Sequence, residues 1–312
     1  MRERVTMQLP DSVRGMRLDQ VLASELELSR SLVAKLIKQK DVQVNGKIPR
    51  KSAEVFPEDQ VEVLLPDTSP KSLETPFELP ILFEDADIVV VNKPVGVAAH
   101  AAPGWKGPTV IGALLAAGHQ VATSGPSERI GIVHRLDVGT SGALVVAKSE
   151  RAYRQLQEDF RARRVEKIYH ALVQGYLEPA QGTISAPVGR HPSRDFKMAV
   201  VEGGRPAITH YRTLELLPGA SLLEVQLETG RTHQIRVHMQ AMGHCLVGDP
   251  IYGGNPLLAK KLGLERQWLH AVSLGFTHPV TGEKMTFEAP LSPDLVAALE
   301  KLRSWDASKL GF

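Results

Sequence analysis

Leu18, Val21 and Leu22 recur at i, i+3, i+4, the spacing of a short amphipathic helix. Ser29 is a good helix N-cap, and Leu32, Val33, Leu36 and Ile37 follow it on one helical face, with Lys35 and Lys38 pointing away. Apolar and polar residues then alternate around Asn45-Gly46 over 42–48, which predicts a hairpin, and 61–65 gives a closing strand. Residues 66–80 hold four prolines and little apolar content, so they read as a linker. Beyond them strand-sized apolar runs dominate, at 88–91, 130–133, 143–147, 169–173 and 222–227. Helical patterns occupy 151–164 and 232–242; the second carries Ile235, His238, Met239 and Met242 on one face and stops before Gly243. Strands and helices do not alternate regularly. The pattern therefore predicts an α+β fold with a mixed, mainly antiparallel central sheet, preceded by a small α+β domain. The expected boundaries are 1–65 for the small domain, 66–80 for the linker and 81–312 for the large one.

Charge changes this picture more than composition does. The chain has 312 residues, is 43% hydrophobic and 23% charged, and carries a net charge of +2, all ordinary for a folded protein. Within it, residues 14–51 hold nine Lys/Arg against four Asp/Glu, and residues 52–79 hold one Lys against seven acids. The basic excess sits in the small domain, where nucleic acid is the natural partner. Cys245 is the one cysteine, which excludes an internal disulfide and a cysteine-based zinc site. No apolar run follows the charged start Met1-Arg2-Glu3-Arg4, and none is long enough to span a membrane, so the default expectation is a cytoplasmic protein without a signal peptide. A monomer is the default oligomeric expectation.

Three segments could carry chemistry. Gly131 to Gly142 runs a strand into a glycine turn with Arg135 and Asp137 at its start. A rigid sheet often presents catalytic groups on such turns, but Asp137 could equally just cap the turn. Asp137-Val138-Gly139-Thr140 also invites an actin-like phosphate loop or an aspartic protease; the first needs partner loops and the second a second Asp-Thr-Gly or Asp-Ser-Gly, and neither is found. Thr229 to His238 places Arg231 where a strand gives way to a helix. His233 and His238 are five apart, the wrong spacing for a zinc pair, so packed, hydrogen-bonded histidines are expected. In the strand 166–173, Tyr169 shares a face with Ala171; a half-buried sheet aromatic is the ordinary outcome there. Arg161, Arg163, Arg164 and Lys167 form a basic patch that would suit phosphates.

Together these segments resemble the RluA/RluD-type family of pseudouridine synthases. His134-Arg135-Leu136-Asp137 with Gly139-Thr140-Ser141-Gly142 matches the family's signature at its catalytic aspartate. Asn92-Lys93-Pro94 with Gly96 and His100, Thr229 to Arg236, Gly248 to Gly253, Leu269-His270-Ala271, and His278-Pro279 follow in the family's order. The small domain is similar to the RNA-binding module first seen in ribosomal protein S4. The resemblance implies that Asp137 is the catalytic carboxylate. It implies that Tyr169 stacks on the target base and serves as the candidate base for the ring proton, and that Arg231 ion-pairs with the aspartate. It further implies that Arg135 fills the gap left by a flipped nucleotide and that Leu227 packs under the base. Arg194 and Lys197 lie in a loop resembling one near the family's active site, and Arg30, Lys35 and Lys38 are the RNA-binding candidates of the small domain.

The implied reaction breaks the glycosidic bond of uridine, turns the uracil over and joins a ring carbon to the sugar. Charge developing on the sugar calls for a carboxylate beside it. An opposite charge keeps a carboxylate ionised and aimed, and an aromatic face holds a detached base. No redox step or outside group is involved, so the resemblance implies no cofactor, nucleotide or metal. Glycal and acylal routes through Asp137 stay open. The overall layout points to large-subunit ribosomal RNA, with transfer RNA as an alternative substrate and a non-catalytic ribosome-assembly factor as an alternative role.

Overall fold

The computed structural model describes residues 4–26, 30–50, 53–64, 77–101, 105–125, 129–194 and 197–305, with the backbone alone at 12, 30–32 and 35. Ser29, the side chains of Arg30, Leu32 and Lys35, and residues 66–76 of the expected linker lie outside the described residues. The chain divides into two compact units, 1–72 with 123–130, and 73–122 with 131–312.

In the first unit, strands Arg4–Gln8 and Val42–Val44 flank the central strand Gln60–Leu64, all antiparallel. Helices Leu18–Glu25 and Arg30–Lys38 supply Leu18, Leu22, Val33 and Leu36 to a core shared with Val42, Val61 and Val63 of the sheet. Lys38 is exposed, as its position on the polar face requires. The Asn45-Gly46 turn forms, with both residues at positive φ, but it closes only the Val44–Lys47 bridge. The expected hairpin does not continue. Strand Val42–Val44 takes Gln60–Leu64 as its partner, and Ile48 is left exposed.

The second unit is built on a nine-stranded mixed sheet with helices against it. Its centre runs from Ala220–Leu227 through Glu166–Gln174 and Leu269–Thr277 to Ser141–Ala147 and Ile88–Lys93. Every pairing among the described strands is antiparallel except one: Leu269–Thr277 pairs parallel to Ser141–Ala147 through His270–Ser141 and Ala271–Gly142. Gly142, at φ 120°, stands at this junction, and a Cβ there would overlap the Ala271 backbone. Strands Ile88–Lys93 and Ser141–Ala147 are buried almost throughout, which is why they read as continuous apolar runs rather than alternations. Helix Glu150–Arg161 covers one part of the sheet with Ala152, Tyr153 and Leu156. Helix Pro293–Arg303 covers another with Leu295, Ala298 and Leu302, against Trp268.

The run 130–133 is not a strand; it touches the sheet through the single bridge Ile132–Val146. Apolar content there serves burial under a turn rather than a ladder. The helix expected over 232–242 spans Gln234–Ala241, because His233 is in the left-handed region at φ 57° and cannot belong to it. Met242 is 41% exposed, so it lies off the buried face that Ile235, His238 and Met239 share.

Candidate active site

The turn that carries Asp137 is held from four sides. The Thr140 amide donates to the Asp137 carbonyl at 2.9 Å. The Gly96 amide donates to the Val138 carbonyl at 2.9 Å, tying the Asn-Lys-Pro loop to the turn. Arg266 Nη1 donates to the Gly139 carbonyl at 3.1 Å while its other nitrogens grip Asp294. His134 accepts from the Val145 amide at 3.1 Å and stacks on Phe160; burial drops its pKa to about 3, so it is a neutral anchor. Lys93 is fully buried and donates to the carbonyls of Pro94 and Val97, which shapes the loop behind the turn. Its burial lowers its pKa to about 7.

Asp137 meets Arg236, not Arg231. Arg236 Nη1 donates to Asp137 Oδ2 at 3.2 Å, and its Nε and Nη2 donate to Asp249 at 2.7 and 2.9 Å. Asp249 Oδ1 also accepts the amides of Ile251 and Tyr252. The Arg236 guanidinium lies 4.9 Å from the Tyr252 ring centroid. Burial opposes both charges, but the pair outweighs it: Arg236 is held above its ordinary pKa and Asp249 below the usual carboxylate range. The expectation for Arg231 is therefore corrected. Arg231 precedes the helix, and its Nε donates outward to the Pro206 carbonyl at 3.0 Å. Two residues inside the helix, Arg236 points inward and finds two carboxylates.

Arg231 belongs to another cluster. Burial and the charges of Arg205 and Arg163 lower its pKa. Arg163 reaches Glu228 at 3.4 Å, His210 reaches the same carboxylate at 2.8 Å, and Lys167 donates to the Glu228 carbonyl at 3.4 Å. Among these described residues the cations Arg163, Lys167, Arg205 and Arg231 outnumber the acid Glu228.

Tyr169 is buried in the middle of its strand, paired with Val225 on one side and Ala271 on the other. Its hydroxyl has no hydrogen-bond partner among the described residues. Burial, with the charge of Asp137, raises its pKa well above the ordinary phenol value, so it stays protonated. Leu227 is buried two residues beyond Val225, on the same sheet face. Arg135 is exposed and close enough for its charge to act on His233. Arg194 is exposed, and Lys197 donates to the Ile251 carbonyl beside the Asp249 loop.

Sequence reasoning missed Arg236, Asp249 and Tyr252 as parts of the site. One signal was available: Arg236 sits between Ile235 and Val237 in a helix whose neighbours all read as core, and a buried cation needs a buried acid. His238 is packed as expected, bonded to Thr209 and the Ala186 carbonyl. No cluster of three metal-ligating side chains occurs among the described residues, and no helix among them is long and apolar enough to cross a membrane.

Residues 87–241 match the family described as RNA pseudouridylate synthase, and residues 16–61 match the S4 domain. The chain is 52% identical over 301 residues to an uncharacterized RNA pseudouridine synthase of Mycobacterium bovis, covering 96% of this chain and 98% of the relative. It is 41% identical to ribosomal large subunit pseudouridine synthase D of Nitrosomonas europaea, over 96% of this chain and 88% of that protein. The same enzyme of Escherichia coli O6:H1 is 38% identical over 97% of this chain and 95% of its own length. Among solved structures, human RNA pseudouridylate synthase domain containing 1 matches with a TM-score of 0.58 at 31% identity, over 72% of this chain and 89% of that one. The chain belongs to the RNA pseudouridine synthase family and is an RNA-modifying isomerase. Within that family it is of the RluD type, with an S4 domain ahead of the synthase domain.

Proposed function

We propose that this enzyme converts specific uridines of large-subunit ribosomal RNA to pseudouridine, with Asp137 as the carboxylate at the reacting sugar. The observation that carries this reading is the asymmetry of Asp137. Arg236 engages Oδ2, His233 approaches the same oxygen, and no described residue bonds Oδ1. One oxygen is anchored and the other is open, as a group meeting a developing sugar cation requires. A uridine in a stem reaches this turn by flipping out, at a cost of a few kcal/mol, and Arg135 fills the gap it leaves. Tyr169, kept neutral, holds the detached uracil with its ring face above Leu227; a neutral phenol is a poor acceptor for the ring proton. Arg163, Arg205 and Arg231 contact backbone phosphates, and Lys38 with the basic helix of the S4 domain adds further phosphate contacts.

The test is tritium release from RNA labelled at uracil carbon five, offered as unmodified ribosomal or transfer RNA. Wild type releases label from ribosomal RNA. Asp137→Asn binds the same RNA with unchanged affinity and loses about 10⁴-fold or more in rate, as an isosteric loss of an essential carboxylate does. Release from transfer RNA alone would overturn the substrate, and equal release by Asp137→Asn would overturn the carboxylate's role.

A further inference from the structure

His233 stands at an unusual place in the backbone. Its φ of 57° is left-handed, a conformation that glycine adopts far more readily, and it sits immediately before helix Gln234–Ala241. The conformation turns its ring between two site residues. Nδ1 lies 2.8 Å from the Tyr252 hydroxyl, and Nε2 lies 3.8 Å from Asp137 Oδ2.

The hydrogen bonds determine which ring nitrogen carries the proton. Tyr252 is fully buried, and its oxygen accepts the Met198 amide at 2.9 Å. The phenol has one proton to give, and His233 Nδ1 is its acceptor among the described residues. Nδ1 is thus unprotonated, and the ring hydrogen is on Nε2, directed at Asp137. Burial, aided by Arg236 and Arg135 and opposed by Asp137 and Asp249, lowers the pKa of His233, so the ring is neutral at neutral pH. Donors then run one way, from Met198 N–H to Tyr252 O–H to His233 Nε2–H, and each polarises the next. At 3.8 Å the last step is open, beyond hydrogen-bond reach.

We infer that His233 is a positioning residue for Asp137, held in its Nε2–H tautomer by Tyr252, and that this donor closes onto Oδ2 when the nucleotide enters. With Arg236 on the same oxygen, the carboxylate can no longer rotate, and Oδ1 faces the sugar. The inference rests on Asp137 being the reacting carboxylate.

The full chain with ¹⁵N-labelled histidine reads the tautomer directly, the His233 signals being assigned by their loss in His233→Gln. Wild type shows a neutral Nε2–H ring, and Tyr252→Phe, which keeps the ring but loses the hydroxyl, shows a shift toward Nδ1–H. Single-turnover tritium release reads the consequence. His233→Phe and Tyr252→Phe each slow the step by about 10- to 100-fold, the scale of a misplaced reacting group, with RNA affinity unchanged. The double variant is no slower than the slower single one, because both act through one chain. His233→Gln restores a donor near the Nε2 position and recovers much of the rate. An Nδ1–H ring in wild type overturns the inference. So does an unchanged rate in folded His233→Phe, or a loss confined to RNA affinity. If wild type itself releases no label, the reading of Asp137 fails, and the spectrum alone decides the tautomer.

Discussion

Asp249 and Glu228 are each held by an arginine, the first in the interior and the second at the solvent-exposed surface. The Asp249 side chain is fully buried, Arg236 grips it through two nitrogens, and two backbone amides complete its shell. Glu228 is 40% exposed and shares its oxygens between Arg163 and His210, with Lys167 on its carbonyl, while Arg163 and Arg205 act on the charge of Arg231. Burial makes every misfit costly, so both Asp249 oxygens are bonded, by Arg236 and two backbone amides, and the interior geometry is rigid. Solvent makes an excess of cations tolerable, so the outer cluster is free to bind anions. Two arginines five residues apart in one motif thus fall under opposite rules.

The contrast breaks most visibly at Arg236. Arg236→Met leaves Asp249 buried without its partner, and urea unfolding should register a loss of about 3–5 kcal/mol. Arg236→Lys keeps a charge but cannot fork two carboxylates; its turnover in the tritium assay should fall about 100-fold. Arg231→Lys should retain wild-type turnover, since a phosphate accepts either cation. A comparable loss at Arg231 would erase the distinction.

Acid probes the interior cluster with a smaller effect. Asp249 titrates below its unfolded value of about 3.9, so its contribution to stability is complete above about pH 5 and disappears as pH falls through the folded value. Wild type should therefore lose more stability between pH 7 and about pH 3 than Asp249→Asn does, although the variant starts weaker.

Salt probes the outer cluster. Arg163→Gln and Arg231→Gln should each reduce the slope of log affinity against log salt by about 1, and leave turnover at saturating RNA intact. The smallest effect belongs to Glu228→Gln. Removing the one acid among these cations should tighten RNA binding by about two- to fivefold at low salt and by less at high salt.

Much of the fold was legible because burial writes itself into periodicity. The strands Ile88–Lys93 and Ser141–Ala147 and the helix Glu150–Arg161 fall where the apolar pattern puts them. The run 130–133 misled because apolar content marks burial, not pairing, and Asn45-Gly46 misled because a turn does not choose its strand's partner. In the site, the Asp137 and Tyr169 positions followed from motif resemblance. The partner of Asp137 did not, since the helix begins between Arg231 and Arg236 and only that break separates an outward arginine from an inward one. Asp249, over a hundred residues from Asp137 along the chain, carries no local signal of their shared arginine.

The one parallel pairing among the described strands sets an order of assembly. Strand Leu269–Thr277 lies between Ser141–Ala147 and Glu166–Gln174, both made long before it during synthesis. Until it emerges, the two earlier strands have no strand between them to join them, and Gly142, paired with Lys93 on its other side, lacks the Ala271 backbone. Contacts that span so much chain form late and slowly. The turn that carries Asp137 consequently gains its last neighbouring strand near the end of folding, and a ribosome that stalls before residue 269 leaves a product in which the Gly96 tie to Val138 can form but the strand beside Gly142 is missing.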